Sequence, residues 1–179
     1  MKYITSDLHF SHESILKWTE TRPFSSAEEM DNFLLCLLNN LKNISGFELL
    51  YHVGDFYLGK KENLKNLLDK IEIPIVFIFG NHDKDYFKKV ILDYPHFSGH
   101  NYLEIKENKE KICLFHFPIM EWNQKRFGTI HLHGHLHGTP YPAPISGNIL
   151  DVGFDKHQRV LSLDEAITLS KYPIDNNCH

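Results

Sequence analysis

The chain has 179 residues, 42% of them hydrophobic, enough for one well-buried core and too few for two comfortable domains, so a single domain over residues 1–179 is expected. Its formal charge of -4 sets up no global field that would draw in a polyanion, so bulk electrostatics make no strong case for a nucleic-acid polymer as partner. Cys36, Cys113 and Cys178 are odd in number and widely spaced, so they indicate neither a disulfide framework nor a cysteine zinc cluster and suit a reducing cytoplasm.

The chain opens directly on Lys2-Tyr3-Ile4-Thr5 with no apolar signal core, and no segment approaches the length needed to span a bilayer; a cytoplasmic protein with no membrane partner is expected. Residues 2–6 read as a first strand, and residues 15–18 as a helical stretch that Arg22-Pro23-Phe24 breaks. Ser25 or Ser26 with Glu28 and Glu29 forms a capping pattern, after which Met30, Phe33, Leu34, Leu37, Leu38 and Leu41 recur at helical spacing.

Residues 47–53 read as a second strand, and Leu64, Leu67, Leu68 and Ile71 as the apolar face of a helix stopped by Pro74. The unbroken apolar run Ile75-Val76-Phe77-Ile78-Phe79 predicts a core strand buried on both faces. A helix over 86–92, a hairpin joining 102–105 to 112–115, strands at 129–133 and 149–152, and a last helix capped by Ser162-Leu163-Asp164-Glu165 and ended by Pro173 complete the reading. Strands alternate with helices first and dominate later, which favours a layered α/β sandwich.

Thirteen histidines are more than solubility or packing asks for, and several fall among aspartates, as metal coordination requires. Five motifs place such residues where a hydrophobic strand runs out: Asp7-Leu8-His9, Gly54-Asp55, Gly80-Asn81-His82-Asp83, His116, and Gly134-His135-Leu136-His137. The carboxyl ends of strands are where open α/β folds gather ligands, so the five loops are expected to build one site.

In this order the motifs resemble those of the calcineurin-like metallophosphoesterase superfamily: aspartate-x-histidine, glycine-aspartate, glycine-asparagine-histidine, histidine, and glycine-histidine-x-histidine. The resemblance spans residues 7–137 and looks closest to small bacterial and bacteriophage members, which share the Phe10-Ser11-His12 and Arg22-Pro23-Phe24 style of opening. It implies a two-sheet β core flanked by helices in four layers. It also implies Asp7, His9, Asp55 and His137 on one metal, Asp55, Asn81, His116 and His135 on a second, and Asp55 as the bridge.

Two such cations can activate a shared water, so a metal-bridging hydroxide is the expected nucleophile, with His82 assisting the leaving oxygen and Asp83 orienting His82. Catalysis is thus assigned to His82 and Asp55, and substrate contact to Asn81, His82, Arg22 and His12, with Arg22 forking onto a phosphate. Mixed nitrogen and oxygen ligands suit manganese, iron, cobalt, nickel or zinc, with manganese preferred on the resemblance. The expected activity is hydrolysis of a nucleotide-type or other small phosphodiester. A phosphomonoesterase, a protein phosphatase or a non-catalytic scaffold of the same fold are the rivals.

Other residues have plainer readings. His52, His96, His100, His157 and His179 are expected to be core or surface residues, and His133 either supports the ligands or, like His131, simply occupies its strand. Phe10, Trp18, Phe24, Phe56, Tyr57, Phe117 and Trp122 lie near the motifs and could stack a base, though core packing is the commoner use of aromatics.

Overall fold

Alternation along the central strands sorts the molecule into layers, because successive side chains of a strand point to opposite faces. On β2 (Leu49–Val53), Leu50 joins one apolar cluster while Tyr51 and Val53 join another. On β3 (Ile75–Ile78), Ile75 and Phe77 side with Leu50, and Ile78 sides with Val53. Both faces of this sheet are therefore covered, as the unbroken apolar run in β3 requires. The computed structural model describes residues 1–171, so Pro173, Cys178 and His179 lie outside the described residues.

Parallel pairing of β1 (Lys2–Thr5), β2, β3 and β4 (Phe97–His100), with the two-residue β9 (Leu161–Ser162) antiparallel to β1, gives a five-stranded sheet ordered β4-β3-β2-β1-β9. Its outer face is roofed by α1 (Ala27–Asn40), α2 (Leu64–Leu68) and α3 (Asp85–Val90), which bury Met30, Leu34, Leu38, Leu64, Leu67 and Phe87. The start of α1 is set by Ser26, whose Oγ accepts the Glu29 N–H at 3.1 Å, while the Glu29 carboxylate turns back to the N–H and hydroxyl of Ser25.

The second sheet, β5-β6-β7-β8, comprises the hairpin β5 (Leu103–Glu107) and β6 (Glu110–Leu114), then β7 (Ile130–His133) and β8 (Ile149–Asp151), both parallel to β6. Asn108 and Lys109 make the hairpin turn with φ of 47° and 72°, the left-handed pair that matches strand twist in a two-residue loop. Ile112, Leu114, Ile130, Leu132 and Leu150 face the first sheet across an apolar layer. Leu163, Ala166 and Ile167 of α5 (Leu163–Lys171) join that layer. Trp122 and Ile149 cover Cys113 on the other face.

Two strands and a short helix have no counterpart in the sequence reading. Phe-Ser-Gly-His of β4 lacks alternation and becomes a strand because β3 offers it a ladder. β9 is too short to show a period, and α4 (Phe154–His157) is a single turn. Among the described residues, no helix is long and apolar enough to cross a membrane.

Candidate metal centre

Because β1, β2 and β3 run parallel, and β6 and β7 likewise, their carboxyl ends open on one edge of the molecule. Asp7 and His9 follow β1, Asp55 follows β2, Asn81 and His82 follow β3, His116 follows β6, and His135 and His137 follow β7. Asp7, His9, Asp55, His135 and His137 all have φ between 50° and 73°. Left-handed backbone at five non-glycine residues costs free energy at each, and such strain gathers where geometry serves a site. Gly54 turns with φ of 95°, and a Cβ on it would meet His116 Nδ1 at 2.1 Å; one on Gly80 would meet Asp55 Oδ1 at 2.2 Å.

The side chains converge in two groups, Asp7, His9 and His137, and Asp55, His116 and His135, each with its ligand atoms within 4.8 Å of one another. Asp55 Oδ2 stands 3.3 Å from His116 Nε2 in its own group and 3.8 Å from His9 Nε2 in the other. His116 donates from Nδ1 to Val53 O at 2.9 Å, so its Nε2 is turned to Asp55 Oδ2 and to Asn81 Oδ1 at 3.0 Å. His137 Nδ1 donates to Asp155 Oδ2 at 2.6 Å, leaving Nε2 toward Asp7 Oδ1 at 3.9 Å. An imidazole pinned through one nitrogen with the other aimed at oxygens is the usual preparation for a metal ion.

Electrostatics point the same way. His9 is 2% exposed, neither ring nitrogen has a hydrogen-bond partner, and burial pushes its pKa down to about 2, so a neutral nitrogen lone pair is presented to the centre. Burial also raises Asp7 to about 7, against the pull of His116 and His137. At His116 burial alone would lower the pKa, but the Asp55 hydrogen bond and the charges of Asp7 and Asp55 raise it to about 9. A buried, unpartnered imidazole beside crowded carboxylates fits a divalent cation, which satisfies all of them at once.

The sequence profile of the calcineurin-like phosphoesterases matches residues 3–165. This chain belongs to the calcineurin-like phosphoesterase family. It is accordingly a metal-dependent phosphoesterase. The uncharacterized protein MJ1445 of Methanocaldococcus jannaschii is 35% identical over 137 residues, covering 75% of this chain and 68% of that one. Among solved structures, the protein of unknown function AQ665 from Aquifex aeolicus is similar with a TM-score of 0.69 and 24% identity, over 94% of this chain and 98% of the other. An archaeal phosphodiesterase shares the fold with a TM-score of 0.50 and 15% identity, over 85% and 82% of the two chains.

Of three further expectations for this phosphoesterase, those for Arg22 and Asp83 meet different geometry and that for His12 does not. Arg22 does not reach toward a phosphate. Its guanidinium is buried, gripping Asp155 through Nε (2.7 Å) and Nη2 (2.8 Å) and donating to Leu8 O (2.8 Å) and Asp7 O (2.5 Å). Asp83 does not touch the His82 ring; its carboxylate accepts the N–H groups of Asp55, Phe56 and Gly80 at 2.8–2.9 Å and so holds two motif loops together. His12 does line the cavity, with its ring stacked on His9 at 5.2 Å.

Asp155 is the residue that sequence reasoning missed. It joins Arg22, Thr21 and His137, and so ties the Arg22-Pro23-Phe24 segment to the ligand set. Burial would raise its pKa, yet the His137 and Arg22 hydrogen bonds hold the carboxyl well below the usual range. Arg22→Met is expected to cost about 3–5 kcal/mol in chemical denaturation, because it leaves Asp155 buried without its cation. A loss under about 1 kcal/mol would contradict the clamp.

His131 and His133 point to the face of β7 opposite Ile130 and Leu132. His131 Nε2 donates to Phe117 O at 3.1 Å; His133 Nδ1 donates to Gly134 O at 2.7 Å, so its Nε2 accepts from the Tyr141 hydroxyl at 3.0 Å. Burial lowers both from 6.5 to about 4. Below pH 6.5 the unfolded chain takes up protons that these folded imidazoles refuse, so stability falls as pH drops from 6.5 toward 4, by about 1.4 kcal/mol per unit for each group. His131→Phe is expected to flatten that slope; an unchanged slope would show that His131 does not contribute.

Proposed function

We propose that this phosphoesterase hydrolyses small phosphodiesters with two divalent ions, one held by Asp7, His9, Asp55 and His137 and the other by Asp55, Asn81, His116 and His135. The observation that carries this reading is the place of Asp55 Oδ2 between His9 Nε2 and His116 Nε2, where one carboxylate oxygen faces both groups. Manganese, which accepts carboxylate and amide oxygens beside imidazole, is the proposed activating ion. When bound, such a pair supplies an activated water as nucleophile and neutralises charge on the phosphoryl oxygens.

The chain's own groups position and protonate. The main-chain N–H of His82 donates to Asp55 Oδ1 at 2.8 Å, which leaves its half-exposed ring in a cavity of about 490 Å³ to donate a proton to the leaving oxygen. Asn81 turns its Oδ1 to His116 Nε2, so its amide NH2 is free to donate to a non-bridging phosphoryl oxygen. His12 shapes the wall beside His9.

Among the described residues lining the cavity there is no lysine or arginine, and Arg22 is committed to Asp155. A monoester dianion would bring a second ionised oxygen that no lysine or arginine meets, whereas a diester brings one charge fewer. That a protein sharing the fold is a phosphodiesterase agrees with this preference. Reconstituted with manganese, the protein is expected to turn over bis-p-nitrophenyl phosphate with kcat/KM at least tenfold above that for p-nitrophenyl phosphate. A reversed preference would make it a monoesterase, and no turnover of either would leave a scaffold.

A further inference from the structure

The fold disposes of most aromatic side chains near the motifs. Phe10, Phe56 and Tyr57 are buried beneath the helices, Trp122 is buried on the outer face of the second sheet, Phe24 packs on Phe33, and Phe117 lies against His135. Trp18 differs. It is 85% exposed, yet it lines the same cavity as His9, Asp55 and His82.

We propose that Trp18 is a stacking platform for the nucleobase of a phosphodiester substrate, an inference that rests on the phosphodiesterase reading above. The platform is built into the site. Trp18 ends the 3-10 turn Glu13–Lys17, its N–H donating to the carbonyl of buried Ile15 at 3.1 Å, and Glu13 accepts the Ala27 N–H at 3.0 Å, which ties the turn to α1. The segment that follows is fastened to the carboxylate that orients His137: Thr21 Oγ1 donates to Asp155 Oδ1 at 2.6 Å, with Thr19 Oγ1 3.5 Å from the same oxygen. A base resting on Trp18 is thereby held in register with the ligand set.

The remaining lining says what kind of group the platform receives. Ile15 and Leu136 add apolar surface, and Ser14 and Thr139 bring hydroxyls. With no lysine or arginine among the described lining residues, a further phosphate of a polyphosphate chain meets no permanently charged cationic side chain. A flat, uncharged ring with polar edges suits this wall, because any base can stack its π face on an indole while hydroxyls satisfy its edge or its sugar. The cavity, at about 490 Å³, falls in the size range of small-ligand sites, roughly 300–1,000 Å³.

Two substrates test this, the methyl ester of adenosine monophosphate and the methyl ester of ribose phosphate, which differ only in the base. Trp18→Ala is expected to lower kcat/KM for the first about ten- to hundredfold more than for the second, with Trp18→Phe recovering most of the difference; an equal fall for both would overturn the platform. Fluorescence gives a readout without turnover, since Trp18 is exposed and the other tryptophan, Trp122, is buried. Adenosine monophosphate should quench emission in the unaltered protein but not in Trp18→Phe, and ribose phosphate should quench neither. Quenching without hydrolysis of either ester would sink the phosphodiesterase reading and keep the base site, whereas hydrolysis without quenching would do the reverse.

Discussion

Asp55→Asn is expected to lose at least about a thousandfold in kcat and to bind manganese poorly, although asparagine matches aspartate in shape. The reason lies in how the carboxylate is held. Oδ1 accepts the His82 N–H at 2.8 Å, so an asparagine must place its carbonyl oxygen there to keep that bond. Its NH2 then lands where Oδ2 stood, presenting donors to His116 Nε2 and His9 Nε2 in place of a shared lone pair. Losing one ion removes several kcal/mol of charge stabilisation, and each 1.4 kcal/mol or so is a factor of ten in rate. Metal content by mass spectrometry, measured beside turnover, checks it; a variant that keeps two ions and more than a tenth of the activity would show that Asp55 is not the bridge.

His82→Ala separates chemistry from metal binding. The link from His82 to Asp55 Oδ1 is a main-chain N–H, which alanine retains, and the ring is nearly half exposed, so removing it leaves no buried void. The expected loss is about 100- to 10,000-fold in kcat, the range for a general acid, with metal content unchanged. Turnover within threefold of the unaltered protein would assign the proton to water.

The features legible in the sequence are those in which neighbouring residues carry the information. The β3 run and the helical spacing of Met30, Leu34 and Leu38 reflect burial imposed locally by periodicity, and both elements stand where they were read. The five motifs were legible because each motif follows the end of its own strand. What stayed hidden depends on partners far along the chain. Arg22 looked available for phosphate because nothing nearby announces Asp155, 133 residues away, which takes two of its donors. Asp83 looked like a support for its neighbour, yet it faces the main chain after β2. Trp18 could not be told from the buried aromatics until the fold had claimed the others.

A crystal grown in manganese and measured at a wavelength where manganese scatters anomalously tests the central claim most directly. The expected result is two anomalous peaks about 3.5 to 4 Å apart, one beside His9 and His137, the other beside His116 and His135, with Asp55 Oδ2 between them. One peak, or two with Asp55 turned away from both, would contradict it.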